Sequence, residues 1–318
     1  MIQDIAPKKL HNEYHNLQPE DGDLVLFFDG NRAAVRASGK DVSRGQEPAL
    51  RESAEEIRGV IDDQRAEHDR QETSLQFPSY GEVKDMDGFS PADCQYLFDI
   101  SGEKYFLYRG ELPEGLLAKT GATMENVRML RYSDPEAKAR CFAAATGYHL
   151  AVWYRDNRFC GRCGGVLRHD RHQRMLKCPV CGNEVYPKIA PAVIVAVTSG
   201  EKLLLTKYSG RVYKRYALIA GFTEIGETAE ETVEREVMEE VGLRVKNIRY
   251  YATQPWGTDS NLLIGYFADL DGDPDITLDH DELAVAEWFD REDIPIGNDQ
   301  ISLTLDMVQA FREGREPR

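Results

Sequence analysis

The sequence predicts a mixed α/β chain in three parts: an N-terminal α+β domain over residues 1–155, a small four-cysteine module over 156–187 and an α/β domain over 188–318. Three observations predict it. Short β-like runs separated by turn residues occupy the first part, and a helix opens near its end. Two Cys-x-x-Cys pairs stand close together in the second. In the third, apolar strand-like runs precede and follow a glutamate-rich helical stretch.

A chain of 318 residues has room for two compact domains with their own cores. Its 42% hydrophobic and 30% charged residues are those of an ordinary soluble protein. No apolar run approaches the roughly 20 residues that span a bilayer. The start, MIQDIAPKKLHNEYHNL, lacks the apolar segment of a secretory signal. The expectation is a cytoplasmic protein with no membrane partner. A net charge of −16 argues against a broad electrostatic footprint on nucleic acid, though it leaves room for a local basic patch.

In the first part, residues 24–28 and 33–36 read as strands joined by the turn Asp29-Gly30-Asn31. Residues 46–73 are polar and strongly charged, a surface helix or a mobile insertion. Residues 95–108 read as a hairpin turning at Ser101-Gly102-Glu103-Lys104. Asp134-Pro135 opens a helix, since proline suits the first helical position. Cys141, Ala145, His149 and Val152 form its apolar face. This part carries no catalytic pattern and reads as a scaffold or dimerisation domain. Cys94 and Cys141 stand alone and are expected as buried small hydrophobes in a reducing compartment.

Cys160-Gly161-Arg162-Cys163 and Cys178-Pro179-Val180-Cys181 form two knuckles separated by fourteen residues. That gap is one short of the usual zinc-ribbon spacing. Gly164 and Gly182 follow the knuckles, where a tight turn around a metal favours glycine. Four thiolates suit a closed tetrahedral Zn²⁺ site, which is structural. A redox dithiol is the competing reading, and the pairing of knuckles disfavours it. With the coordination sphere filled, His169 and His172 read as surface residues. Arg158, Arg162, Arg168, Arg171, Arg174 and Lys177 make a local basic cluster: a solvated face, a contact to the N-terminal domain or a guide for RNA, in that order.

In the third part, AVIVAVTS and LLLTKYS read as strands joined at Glu201-Lys202, and residues 216–220 form another. A helix follows. Thr228 with Glu231 reads as a capping box and Gly242 as its stop. Val233, Val237 and Val241 line one stripe, with Glu236, Glu239 and Glu240 on the adjacent face at i, i+3 and i+4. Like charges at this spacing repel by roughly 0.2–0.5 kcal/mol per pair on an isolated helix. A bound Mg²⁺ or Mn²⁺, cations that prefer oxygen ligands, reverses the sign. A solvated acidic helix is the plain alternative. Strands near 245–253 and 261–268 and a helix over 301–313 complete the chain.

Taken whole, GFTEIGETAEETVEREVMEEVGL at 221–243 resembles the complete Nudix box. The resemblance implies an αβα sandwich that hydrolyses a phosphoanhydride with Mg²⁺ or Mn²⁺. A four-cysteine ribbon ahead of the box resembles the NADH pyrophosphatase subfamily, which cleaves NADH or NAD to nicotinamide mononucleotide and AMP. The subfamily's tag, Ser-Gln-Pro-Trp-Pro-Phe-Pro-x-Ser, is here Thr253-Gln254-Pro255-Trp256-Gly257-Thr258-Asp259-Ser260. The Gln-Pro-Trp core and the final serine persist, and Gly-Thr-Asp replaces Pro-Phe-Pro.

The resemblance implies metal ligation by Glu236, Glu239, Glu240 and Glu282, with Glu240 as first and Glu239 as second choice of general base. Arg235, with Glu227, orients the box. Phe222 stacks on the adenine, Gln254, Trp256 and Ser260 belong to the substrate pocket, and Ser302 falls where the family's backbone meets the substrate. Plain readings are a core aromatic for Trp256 and a surface carboxylate for Glu282. The resemblance also implies a homodimer. Alternative substrates are 5′-NAD-capped RNA, ADP-ribose and coenzyme A. A non-catalytic Nudix-fold regulator is a further alternative, against which every box glutamate is present.

Overall fold

The computed structural model describes residues 1–38, 74–132, 134–210, 216–294 and 301–317. The polar segment 46–73 lies outside the described residues.

The C-terminal part is built on strands β1 (Ala190–Ser199), β2 (Lys202–Tyr208), β3 (Ile219–Phe222), β4 (Val245–Trp256), β5 (Asn261–Leu270) and β6 (Leu283–Asp290). They form one sheet in the order β4-β5-β1-β2-β6, with β3 also on β1. β1 and β5 run parallel, and the other pairs are antiparallel. Side chains on a strand alternate between faces, and β1 uses both. Val193, Val195 and Val197 meet Val233, Val237 and Val241 of one helix, Ala229–Val241. Ile194 and Ala196 meet Leu303, Met307 and Phe311 of another, Leu303–Arg312. The result is the αβα sandwich.

The valine stripe lies as expected, each member fully buried. Burial of such a side chain stabilises by about 1.5–3 kcal/mol. The capping box forms: Thr228 Oγ1 accepts from the Glu231 amide at 3.2 Å, and the Glu231 carboxylate accepts from the Thr228 amide at 2.7 Å. Gly242, at φ 69°, ends the helix in the left-handed conformation.

In the N-terminal part, Leu24–Leu26 pairs with Glu103–Tyr108 in one sheet, and Phe28–Asp29 pairs with Arg32–Ser38 in another. The single strand expected over 24–28 therefore breaks at Phe27, which is fully buried where the chain crosses between sheets. The hairpin of Cys94–Ile100 and Glu103–Tyr108 forms as expected. Pro135–Asp156 is helical, and Asp134 accepts from the amides of Glu136 and Ala137 at 3.0 and 3.1 Å. Its buried face is broader than one stripe. Phe142, Leu150 and Trp153 join Cys141 and Ala145, while His149 and Val152 are only half-buried. His149 Nε2 lies 2.7 Å from the Lys188 carbonyl, next to β1.

The ribbon forms a three-stranded sheet of Arg168–His169, Leu176–Lys177 and Glu184–Val185. Leu167, Leu176, Cys160 and Cys178 share a core with Trp153 and Tyr154 of the preceding helix. His172 is exposed, but His169 is not the surface residue that a filled coordination sphere suggested. Its ring lies 5.0 Å from that of Tyr154, and Nε2 is 2.9 Å from an Arg109 guanidinium nitrogen. Burial, with help from Arg109, pulls this imidazole down to about 4, so it is neutral at neutral pH. Metal-ligand spacing says which side chains face the ion, not which side of the loop docks on a neighbour. Among the described residues, no helix is long and apolar enough to cross a membrane.

Candidate active site

The box helix Ala229–Val241 follows β3 through the loop 223–228 and packs against β1 and β3. Glu236 and Glu240 are buried, 8% and 2% exposed, while the Glu239 side chain is 58% exposed. The three thus straddle the edge of the core. Arg235 organises the loop. Its Nε and Nη2 donate to Glu227 at 2.6 and 3.0 Å, and Nη2 also donates to the Phe222 carbonyl at 2.9 Å. Nη1 donates to Glu236 at 2.8 Å and to Glu239 at 2.9 Å. Arg235, together with the Glu224 amide, holds the Glu227 carboxyl down to about 2.

Burial pushes the Glu236 carboxyl above its ordinary value. Arg235 opposes the shift, while Glu239 and Glu282 add to it. Gly221 explains how so buried a carboxylate is accommodated: a Cβ there would lie 1.9 Å from the Glu236 carboxyl carbon. The cradle exists because residue 221 has no side chain. An oxygen-rich, mutually repelling set that one arginine only partly neutralises fits a hard divalent cation. Glu236, Glu239 and Glu240 would hold it, with Glu282 nearby on the segment before β6.

The four ribbon thiols meet the stricter test. Their sulfurs all lie within 4.8 Å of one another, the only such group of three or more ligands among the described residues. Cys160 and Cys181 sulfurs are 3.6 Å apart, and those of Cys163 and Cys178 are 3.5 Å apart. The Arg162 amide holds the Cys160 thiol down to about 6, and the Cys181 amide acts likewise on Cys178. Donor set and spacing suit Zn²⁺. Cys94 and Cys141 are buried, as expected, and burial pushes the Cys94 thiol up to about 12.

The tag residues divide. Phe222 is 54% exposed beside the box, open to a ligand. Trp256 is half-buried. The side chains of Gln254 and Ser302 both hold the start of a helix. Gln254 is fully buried, its amide donating to the Ile301 carbonyl and accepting from the Leu303 amide, each at 2.7 Å. Ser302 Oγ caps the same helix, accepting from the Leu305 amide at 3.4 Å. Both side chains fix the start of Leu303–Arg312, and a motif alignment does not register that task. Ser260 turns the chain at φ 58°, and its carbonyl accepts from the Ala190 amide at 2.9 Å.

The altered Gly257-Thr258-Asp259 has a structural account. Asp259 accepts from Trp256 Nε1 at 2.8 Å and pairs with Arg128 of the N-terminal part. The Arg131 guanidinium lies 5.8 Å from the Trp256 ring centre. A Cβ at Gly257 would meet the Ala145 carbonyl oxygen at 2.2 Å. Sequence reasoning missed Arg128 and Arg131, because nothing local ties residues so distant in the chain to the tag. Gly257→Ala is expected to destabilise the protein by about 1–3 kcal/mol, the usual cost of overpacking. Urea unfolding measures it, and an unchanged midpoint would mean that this seam is not close-packed.

Residues 188–307 match the family model described as the NUDIX domain, and residues 155–186 that of the NADH pyrophosphatase zinc ribbon domain. A Pseudomonas aeruginosa protein named NAD-capped RNA hydrolase NudC is 38% identical over 256 residues, 71% of this chain and 91% of that protein. The chain belongs to the Nudix hydrolases. A protein of the same name from Erwinia tasmaniensis is 36% identical over 209 residues, 66% of this chain and 76% of its own. A Nudix hydrolase crystal structure from Nitrosomonas europaea is 27% identical, covering 50% of this chain and 92% of that one at a TM-score of 0.43. Within the Nudix family this chain is of the kind that carries a zinc ribbon ahead of the catalytic domain.

Proposed function

We propose that this Nudix hydrolase cleaves the pyrophosphate bond of NADH or NAD to nicotinamide mononucleotide and AMP. The observation that carries the reading is the glutamate edge of the box helix, tied through Arg235 to the carbonyl of exposed Phe222. A charged, cation-binding edge and an aromatic surface for a base thereby lie side by side. Bound Mg²⁺ or Mn²⁺ supplies charge neutralisation for the diphosphate and Lewis acidity toward water. Glu240 takes the proton of the attacking water, whose oxygen bonds to phosphorus as the P–O–P bridge breaks. Arg235 keeps Glu236 and Glu239 oriented, and Phe222 stacks on the adenine. A role as scaffold fits the N-terminal domain, whose Arg128 reaches the tag. A homodimer belongs to the same reading, supported by exposed Phe222, Ile225 and Tyr250.

The second reading, favoured by the names of the relatives, is hydrolysis of an NAD cap at the 5′ end of RNA, where the same bond is cut, nicotinamide mononucleotide leaves and the RNA keeps a 5′-monophosphate. Product analysis with NADH, NAD, 5′-NAD-capped RNA, ADP-ribose and coenzyme A, each with Mg²⁺ or Mn²⁺, tests both. Release of AMP and nicotinamide mononucleotide is the expected result. Cleavage of ADP-ribose or coenzyme A alone would overturn it and assign the altered tag to a different pocket.

A further inference from the structure

The ribbon presents a face that the hydrolytic site does not use. Phe159 and Val166 are partners in an antiparallel bridge, an arrangement that sets both side chains on one side. They are 60% and 61% exposed. Two apolar side chains thus lie side by side in water on a module too small to waste them.

The same small module carries exposed arginines. Arg158, Arg162, Arg168 and Arg171 are exposed and have no ion-pair partner among the described residues. The Leu167 amide donates to the Arg158 carbonyl at 3.0 Å, which brings Arg158 and Arg168 to the same end of the hairpin as Phe159. The other cations of the module are engaged. Arg155 pairs with Asp156 at 2.9 Å and Lys177 with Glu184 at 2.7 Å. Arg174 turns inward to Asn12 at 2.7 Å and Tyr14, so it alone of the cluster is a contact to the N-terminal part. Unpaired positive charge around an exposed aromatic is out of keeping with a chain of net charge −16. A two-fold contact between copies would set these arginines against one another, which disfavours a second chain as occupant.

We propose that this ribbon face binds the single-stranded 5′ segment of an RNA whose terminal nucleotide enters the hydrolytic site. Sites for single strands combine cations that follow the backbone with an aromatic on which a base stacks. Arg158, Arg162, Arg168 and Arg171 supply the first and Phe159 the second. The path to the box is short. The last ribbon strand ends at Val185, and the Pro191 carbonyl accepts from the Thr223 amide of the box loop at 3.1 Å. An extended chain rises roughly 3.3–3.6 Å per residue, so this link covers about 20 Å at most. Exposed Tyr186 and Ile189 line it. The proposal rests on the second reading above, that the diphosphate is cleaved at an RNA end.

The test uses the full zinc-loaded chain and a short unstructured 5′-triphosphate RNA, followed by fluorescence anisotropy over a KCl series. Each lost phosphate contact on a single strand makes the slope of log K against log salt shallower by about 0.7. The triple variant Arg158→Gln, Arg162→Gln, Arg168→Gln should therefore flatten it by about 2, with zinc content, Tm and kcat/KM for NAD unchanged. Phe159→Ala should weaken binding about tenfold at every salt concentration and leave the slope alone. Equal slopes for triple variant and wild type, or no RNA binding by the wild type, overturns the proposal. So does an unchanged slope with a shifted sedimentation coefficient, which would make the face a contact between copies. If NAD is not cleaved but the slope flattens, the ribbon face stands and the hydrolytic reading fails. If NAD is cleaved and the slope is unaltered, the hydrolytic reading stands and the ribbon face fails.

Discussion

Glu240→Gln is expected to lower turnover about 10²–10⁴-fold, the range associated with loss of a general base. Its fold should be unharmed. Glutamine has nearly the same shape, and Glu240 is 2% exposed within a group of like charges, so neutralising it relieves repulsion. Glu239→Gln should cost less, because its side chain is 58% exposed and already engaged by Arg235 at 2.9 Å. AMP release under saturating NAD and Mg²⁺, with Tm measured in parallel, compares the two. Near-wild-type turnover in Glu240→Gln would sink the assignment, and a larger loss in Glu239→Gln would transfer the proton to that residue.

The difference between these two glutamates was not legible in the sequence, where spacing made them equivalent members of one face. Periodicity located the helix, its caps and the valine stripe, because 3.6-residue geometry follows from sequence alone. It could not say how far each carboxylate sinks into the core. That depends on Gly221, whose missing side chain leaves the space that Glu236 fills. The tag and Ser302 show a second limit of motif reading. Gln254 and Ser302 sit at matching motif positions, and their side chains hold one helix terminus, which the motif does not show. Gly257 and Asp259 looked like losses and are contacts to the N-terminal part. Long-range partners such as Arg128 leave no local signature, so only the fold brings them to the site. The ribbon cluster was legible as a cluster, but its division into one half-buried and several exposed arginines was not.

Cys178→Ser tests a different kind of residue and should give the opposite pattern. A serine hydroxyl is not ionised near neutral pH and is a poorer zinc ligand than thiolate. Cys178 is 1% exposed, and its sulfur lies 3.5 Å from that of Cys163. Its amide donates to the Asn183 carbonyl at 2.8 Å, and its carbonyl accepts from the Gly182 amide at 3.0 Å, so the knuckle is wound around the metal position. Structural zinc in small modules contributes about 10–16 kcal/mol of apparent binding energy. Losing it exceeds what a few short strands can replace. Because Cys160 and Cys178 share a core with Trp153 and Tyr154, the damage should spread into the helix Pro135–Asp156. The sandwich has cores of its own and should hold longer. Elemental analysis should find zinc near zero, and hydrogen exchange should find protection lost from 156–187 while β1 and β5 keep theirs. One zinc per chain and an unchanged Tm would refute the closed four-thiolate site. Loss of zinc with ribbon protection intact would mean that packing against the helix, not the metal, folds this module.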